Sequence, residues 1–141
     1  MTADPKTLAR MFIEAIPHAK ALSMTITKIE DGIAEITMPY DTHLVGDPDT
    51  GVIAGGAVSA LMDTCGGAAV MCHPSGPSGT ATLDLRIDYM RSATPGQSIR
   101  ALAECYHVTR SVAFVRATAF DEGDTPVASA TGAFTVEASK K

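Results

Sequence analysis

Residues 49–84 read DTGVIAGGAVSALMDTCGGAAVMCHPSGPSGTATLD, and between the two terminal aspartates only Asp63 is formally charged at neutral pH. From Val52 to Cys72 the remaining residues are apolar, small or hydroxyl-bearing, and no proline interrupts the run. A helix that is apolar on every side belongs inside a protein rather than on its surface. We therefore predict one buried helix from Gly56 to about Cys72, with a carboxylate near its middle that must be paired or used.

A membrane-spanning helix is the alternative for a run of this length, since about 20 apolar residues cross a bilayer. The central aspartate, the glycines within the run and the absence of flanking Lys or Arg argue against it. The strand-like alternation downstream favours a helix enclosed by a sheet.

Segments with strand-like alternation lie on both sides of this helix. They are residues 24–29, 33–39, 80–90, 98–108, 112–120 and 126–136. A short amphipathic helix, capped by Asp4 and ended by Pro17, precedes them, and the turn-rich loop 40–50 leads into the central helix. The pattern predicts a single α+β domain over residues 1–141, in which consecutive strands joined by short turns form a largely antiparallel sheet around the helix.

The bulk composition excludes several classes of partner. A net charge of −5 supplies neither the phosphate neutralisation of a nucleic-acid binder nor the attraction of an anionic membrane. Three cysteines without a CxxC motif, and no basic segment before an apolar stretch at the N-terminus, predict a cytoplasmic protein without disulfides or a secretion signal.

Few residues are available for chemistry. The four histidines have no metal-binding spacing, and neither a GxSxG elbow nor a phosphate-binding glycine loop followed by Lys-Ser/Thr occurs. Cys65 and Cys72 lie on the apolar helix, which indicates core packing rather than a nucleophile. What remains is Asp63 and the glycine pair at the start of its helix.

Gly55 and Gly56 at a helix N-terminus expose backbone N–H groups backed by the positive end of the helix dipole. Such amides can hold a developing oxyanion, and a carboxylate such as Asp63 can attack a carbonyl or activate water. Gly55 and Asp63 are eight residues apart, about 12 Å along one helix, too far to reach the same carbonyl. They meet only if two such helices run antiparallel in a dimer, which would carry paired sites.

Structural roles for the same residues stay open at this point. Asp63 also fits an interface aspartate, hydrogen-bonded to Thr64, Ser59 or a facing backbone group with no reaction. Gly55 and Gly56 also fit two helices that pack closely.

The sequence from Ile13 to Val136 resembles the hotdog-fold acyl-CoA thioesterases of the PaaI-like, phenylacetyl-CoA-type branch. The signature of that family is a loop, then G-x-x-H-G-G, then an apolar helix bearing Asp or Glu eight residues after the first glycine of the pair. Here it reads Gly51-Val52-Ile53-Ala54-Gly55-Gly56 with Asp63. Residues 83–96, 113–116 and 128–132 resemble the same family.

This resemblance implies a hotdog fold, with an antiparallel sheet wrapped around one long central helix, assembled as a dimer or a dimer of dimers. It implies hydrolysis of an acyl-CoA to the free acid and CoA, with no metal or other cofactor, since coenzyme A enters only as part of the substrate. Asp63 would be the nucleophile or general base, the Gly55 amide beside Gly56 would polarise the carbonyl, and Thr82 would help place water. Contacts with substrate and CoA are expected at Ala54, Thr64, Arg91, Arg110, Ser111 and Arg116.

The sequence departs from the family at two places, and two rival functions remain. Ala54 stands where the family has histidine, and the loop before it is long, with Pro48 where asparagine is frequent. The loss of the histidine leaves open a non-catalytic acyl-CoA sensor. A hydratase or dehydratase is the second rival, but it needs a histidine beside the carboxylate, and the nearest one, His73, lies ten residues beyond Asp63.

Overall fold

In the computed structural model, which describes residues 4–138, three helices and eight strands follow one another along the chain. They are α1 (Pro5–Glu14), α2 (Pro17–Ala21), β1 (Thr25–Glu30), β2 (Ile33–Met38), β3 (Val45–Asp47), β4 (Val52–Ile53), α3 (Gly55–Met71), β5 (Thr82–Tyr89), β6 (Ile99–Val108), β7 (Val112–Phe120) and β8 (Ala128–Thr135). Every predicted strand segment is present, with ends that differ by at most two residues. Helix α3 begins one residue earlier than predicted and ends one residue earlier.

Six strands form one antiparallel sheet in the order β1-β2-β6-β7-β8-β5. Helix α3 packs on one face of this sheet, mainly against β6, β2 and β7. Its C-terminal half, from Cys65 to Met71, is fully buried, as expected of a segment without charge on any side. The antiparallel sheet around a central helix is the hotdog architecture, and the fold prediction is confirmed.

The order of the strands differs from the simple succession that short turns imply. β5 does not pair with β6, which follows it in the sequence, but crosses to the far side of β8 and forms an edge of the sheet. The alternation of apolar residues in β5 indicates that one face of the strand is buried, but it does not indicate which strand pairs with it. The edge position of β5 matters for the site.

Two local features were not predicted. Pro17 does more than end the first helix, because it opens the short helix α2, where its fixed φ suits the first helical position. The loop 40–50 contains a 3-10 turn at Thr42–Leu44 and strand β3, which pairs with β4 as a two-stranded sheet. Asp4 caps α1 as predicted, accepting hydrogen bonds from the Lys6 and Thr7 N–H groups.

Within residues 4–138, every helix is too short or too polar to cross a membrane. The alternative of a membrane-spanning helix is thereby excluded for these helices, and the cytoplasmic location stays a prediction.

Candidate active site

The first turn of α3 is open to solvent and carries no side-chain cap. Ala54 is the N-cap residue, with φ −59° and ψ 137°, and its methyl group makes no capping hydrogen bond. The Ala57 N–H donates back to the Ala54 carbonyl at 3.0 Å, whereas the Gly55 and Gly56 N–H groups have no acceptor within residues 4–138. Both glycines are exposed. Two free N–H groups at the positive end of the helix dipole are therefore available to a ligand oxygen.

The packing of the chain does not explain why these two residues are glycines. A methyl group added at Gly56 would meet nothing within 4 Å, and one at Gly55 would meet the Tyr89 ring at 3.6 Å, an ordinary contact. Glycine within a helix costs about 0.5–1 kcal/mol relative to alanine. Packing within one chain therefore does not account for the glycine pair, and the space beside it is open to a substrate or a second chain.

Asp63 lies eight residues further along α3 and is half-buried rather than enclosed. Its Oδ1 accepts a hydrogen bond of 2.6 Å from the Thr82 hydroxyl at the start of β5. Ser59 donates instead to the Gly56 carbonyl at 3.0 Å and Thr64 to the Ala60 carbonyl at 2.8 Å. Neither of the two hydroxyl groups considered as partners from the sequence bonds to Asp63, whereas Thr82, expected to help place water, does.

Tyr89, which was not predicted as a site residue, contacts the Gly55 end of the site. Its hydroxyl donates to the Gly55 carbonyl at 2.7 Å, and half of the residue is exposed. Tyr89 continues the two-residue alternation of Leu85 and Ile87. In the sequence, this alternation was the signal that put Tyr89 on the face of β5 toward the helix. The pattern alone does not reveal a hydrogen bond to a backbone carbonyl.

A cavity of about 340 Å³ opens beside the Gly55 turn. Its lining is mostly apolar, as in many small-molecule sites. The residues that line it are Val52, Ile53, Gly55, Val58, Tyr89, Met90, Arg91, Ser92, Ala93 and Val127. The candidate oxyanion donor therefore lies at the wall of a space able to hold an apolar group.

Arg91, expected to contact CoA, is held by the chain itself. Its guanidinium donates to the buried Asp121 carboxylate at 2.8 Å and to the Thr125 carbonyl at 2.6 Å. The hydrogen bond from Arg91 to the Asp121 carboxylate holds the pKa of Asp121 well below its usual range. Asp121 also accepts from the Thr94 N–H and hydroxyl. Arg91 therefore fixes the loops that wall the cavity, and a role in binding CoA stays a prediction.

Of the other expected contacts with substrate and CoA, Ala54 and Thr64 lie on α3, and the remaining three lie at the opposite end of the sheet or on its outer face. Arg110 and Ser111 form the exposed turn between β6 and β7, and the Ser111 carbonyl accepts from the Val136 N–H. Because β7 begins opposite the end of β8, which also pairs with Thr82, this turn lies at the Thr82 end of the sheet. Arg116 is exposed on β7 and stacks over the Tyr106 ring at 4.0 Å.

The site is divided into two halves by these contacts. Asp63 and Thr82 form one half at the start of β5, and Gly55 and Tyr89 form the other at its end. Eight residues of helix separate the halves, about 12 Å along the axis. One chain on its own cannot apply both halves to a single carbonyl.

Neither a metal nor a thiolate is indicated within the described part of the chain. No group of three or more His, Cys, Asp or Glu that could hold a metal ion occurs in residues 4–138. The three cysteines are free and buried, and burial raises the pKa of the Cys65 thiol and raises that of Cys105 to about 11. These thiols are protonated near neutral pH, which agrees with the predicted packing role.

A family model described as the thioesterase superfamily matches residues 50–128, a span that contains both halves of the site. The medium/long-chain acyl-CoA thioesterase YigI of Escherichia coli is 25% identical, with 93% of this chain and 92% of the relative covered. A crystal structure of a Pseudomonas aeruginosa protein superimposes with a TM-score of 0.82 at 36% identity, covering 93% of this chain and 98% of that one. The PaaI protein from the phenylacetic acid degradation operon of E. coli superimposes with a TM-score of 0.83 at 22% identity, covering 94% and 92%, and shares the fold.

Proposed function

The chain belongs to the thioesterase superfamily and is a thioester hydrolase of the PaaI-like hotdog type, and from that premise we propose that it hydrolyses acyl-CoA to the free acid and coenzyme A. The observation that carries the proposal is the open glycine turn beside an apolar cavity. The turn offers two unpaired N–H groups in a space that the chain leaves empty. Coenzyme A is part of the substrate, and the reaction that we propose uses no other cofactor.

The Gly55 N–H, with Gly56 beside it, receives the thioester oxygen as negative charge develops on it. Asp63 acts as general base or nucleophile on the same carbonyl. As a base, it takes a proton from water while the water oxygen bonds to the carbonyl carbon. The C–S bond then breaks, and the CoA thiolate leaves and takes up the proton. Thr82, bonded to one oxygen of Asp63 at 2.6 Å, orients the carboxylate and the water.

The two halves of the site meet if the protein forms a two-fold dimer, and we propose this assembly or a dimer of dimers. Setting Gly55 beside Asp63 of a second copy makes the two α3 helices antiparallel. Within each chain Tyr89 is hydrogen-bonded to Gly55, and Thr82 is hydrogen-bonded to Asp63. The two-fold axis that brings Gly55 to Asp63 of the second copy therefore also places Tyr89 opposite Thr82 of that copy. One operator therefore aligns both the helices and the β5 edges, as a reciprocal interface requires.

The exposure of β5 supports that interface. This strand alternates most regularly in the sequence, yet no residue of it is fully buried in the single chain. Leu83, Tyr89 and Met90, on or just after β5, are 58%, 51% and 60% exposed. An unpaired edge with exposed apolar side chains is a template for pairing with another strand. A species that is monomeric by light scattering at assay concentration, yet fully active, would contradict the shared site.

The seam is the line along which the β5 edges of the two chains would meet in the dimer. Contacts with the CoA portion are proposed where this seam reaches the loops at the ends of the strands. The Arg110–Ser111 turn lies at the Thr82 end, and in the dimer it approaches the Gly55 half contributed by the other chain. Arg116 offers a second cation, and Arg91 offers what remains of its donors after Asp121, Ser92 and Thr125 have accepted hydrogen bonds from it. Ala54 and Thr64 flank the reacting groups on α3. Arginine is suited to phosphate because its donors form a planar fork.

An acyl-CoA sensor remains the second candidate, and the absence of a capping side chain at Ala54 is the observation that favours it. A sensor binds acyl-CoA and releases no thiol. The rate of thiol release therefore separates the two functions.

The decisive experiment compares thiol release from a panel of acyl-CoAs by the wild type and Asp63→Asn. The amide keeps the volume and accepts from Thr82 but cannot take a proton or attack, so we expect turnover to fall by about 100- to 10,000-fold. Binding of acyl-CoA should persist, because affinity comes from the cavity and the seam. The control is Asp124→Asn, an exposed aspartate in the turn between β7 and β8.

Unchanged turnover in Asp63→Asn would exclude this carboxylate as the reacting group. Tight binding without thiol release in the wild type would assign the protein to the sensor class instead.

A further inference from the structure

The glycine turn that receives the substrate oxygen lacks the usual means of staying fixed. Ala54 provides no capping side chain, and Gly55 and Gly56 have no side chains to pack. Glycine also has the largest conformational freedom of any residue, and helix ends fray readily. An oxyanion donor works only if it is already aimed where charge will develop. Some other group must therefore hold this turn in place.

Two hydroxyl groups hold the carbonyls of this turn. Ser59 belongs to the same helix, and its bond of 3.0 Å to the Gly56 carbonyl moves with the helix. Tyr89 comes from β5, and its bond of 2.7 Å to the Gly55 carbonyl ties the turn to the sheet. The Tyr89 ring also lies 3.6 Å from the position of a Gly55 side chain, where it limits sideways movement of the turn.

The bond from Tyr89 also acts on the donor electronically. The Gly55 carbonyl and the Gly56 N–H belong to one planar peptide group, so a donor on the oxygen fixes the direction of that N–H. A hydrogen bond to the carbonyl polarises the amide, and linked hydrogen bonds strengthen one another. The Gly56 N–H thereby becomes a better donor to the substrate oxygen beside the Gly55 N–H.

We propose that Tyr89 is a positioning residue for hydrolysis, acting through the Gly55–Gly56 peptide on the oxyanion donors. This inference rests on the proposed function and extends it to a residue outside the reacting groups. β5 then aligns both halves of the site, with Thr82 orienting the carboxylate and Tyr89 orienting the amide. The strand that forms the seam also sets the geometry on each side of it.

The test is Tyr89→Phe, which keeps the ring and removes only the hydroxyl. Loss of one neutral hydrogen bond corresponds to roughly a three- to tenfold fall in rate. We expect kcat to fall by that factor while KM stays within about twofold, because substrate affinity comes mainly from other contacts. The Gly56 amide proton, followed by 1H–15N NMR, should move upfield as the polarisation is lost.

Tyr40→Phe is the matched control, because the Tyr40 hydroxyl donates to the Gly51 carbonyl at 2.8 Å, a phenol–glycine bond of the same kind. It should lower the melting temperature at least as much as Tyr89→Phe and leave both kcat and the Gly56 resonance unchanged.

The possible outcomes separate the failures of the two proposals. A wild type that releases no thiol overturns the proposed function itself. An active wild type with equal kcat in Tyr89→Phe overturns the positioning role. A loss of kcat that follows the melting temperature in both variants, with the Gly56 resonance unmoved, shows a merely structural role and also overturns it.

Discussion

Gly55–Gly56 and Gly66–Gly67 lie on the same helix, and their surroundings differ. A methyl group at Gly66 would meet Phe134 Cζ at 2.7 Å, whereas one at Gly56 would meet nothing within 4 Å. Gly66 is buried, and Gly56 is exposed. The packing of the chain requires the glycine in the first case and does not in the second. Gly56 combines exposure with the absence of any packing requirement, which leaves its turn open to close approach from outside.

The two ends of α3 also differ in how they are held. The C-terminal half is buried beneath the sheet. There the Cys65 Sγ lies 3.3 Å from both the Ala34 and the Ala101 carbonyl oxygens, which accept from its thiol. The N-terminal turn is held by the Tyr89 and Ser59 hydroxyls and has one side free. Stability is concentrated at one end of the helix and chemistry at the other, an arrangement that allows mutations to separate the two.

Among variants of the glycines in α3, Gly55→Pro gives the largest expected effect, and it falls on activity. Proline deletes the N–H of the proposed oxyanion donor, yet it suits the first position of a helix. The preceding Ala54 has ψ 137°, which is compatible with a following proline. Removing one such donor costs about 100- to 1,000-fold in kcat. Urea unfolding should show stability equal to the wild type, in contrast with the loss of thiol release.

The same variant tests whether the two halves come from different chains. A heterodimer of Gly55→Pro and Asp63→Asn, purified with two tags, has one intact site and one doubly defective site if the site is shared. It should regain roughly half of the wild-type activity, although each homodimer is inactive. If each chain supplies both groups to its own site, activity stays at the level of the homodimers.

Gly66→Ala has an intermediate expected effect, and it falls on stability. The added methyl overlaps the buried Phe134 ring and approaches Val115 Cγ1 to 3.5 Å, so overpacking costs about 1–3 kcal/mol. The helix propensity of alanine offsets up to about 1 kcal/mol of this loss. We expect a lower urea midpoint and an unchanged kcat per folded molecule. A variant as stable as the wild type would break the contrast between Gly66 and Gly56.

Gly56→Ala has a smaller expected effect on stability than Gly66→Ala, and the sign is reversed. The methyl group has room, and the free energy of unfolding should rise by about 0.5–1 kcal/mol. Thiol release should fall, because the methyl occupies the space through which the substrate carbonyl approaches. If instead the dimer weakens and kcat per dimer is kept, the open space serves packing between two helices rather than substrate.

Much of the fold could be predicted from the sequence because periodicity records which faces are buried. The apolar run with Asp63 as its single charge specified α3 almost to the residue, and period-two alternation located the six strands of the large sheet. The helix α2 and the strands β3 and β4 were missed because they are two to five residues long, too short for a periodic signal.

The candidate site was predicted unevenly for a physical reason. Asp63 and the glycine pair stand out because a charge and flexible residues in an apolar helix are costly wherever the helix lies. The hydrogen bonds of Thr82 to Asp63 and of Tyr89 to Gly55 depend on β5 lying at the edge beside β8, which no local pattern encodes. The binding of Arg91 by Asp121 also joins residues 30 apart in the chain. The sequence by itself determined which groups are able to react, and the tertiary structure decided which groups orient them, because pairings between distant segments are settled only when the sheet closes around the helix.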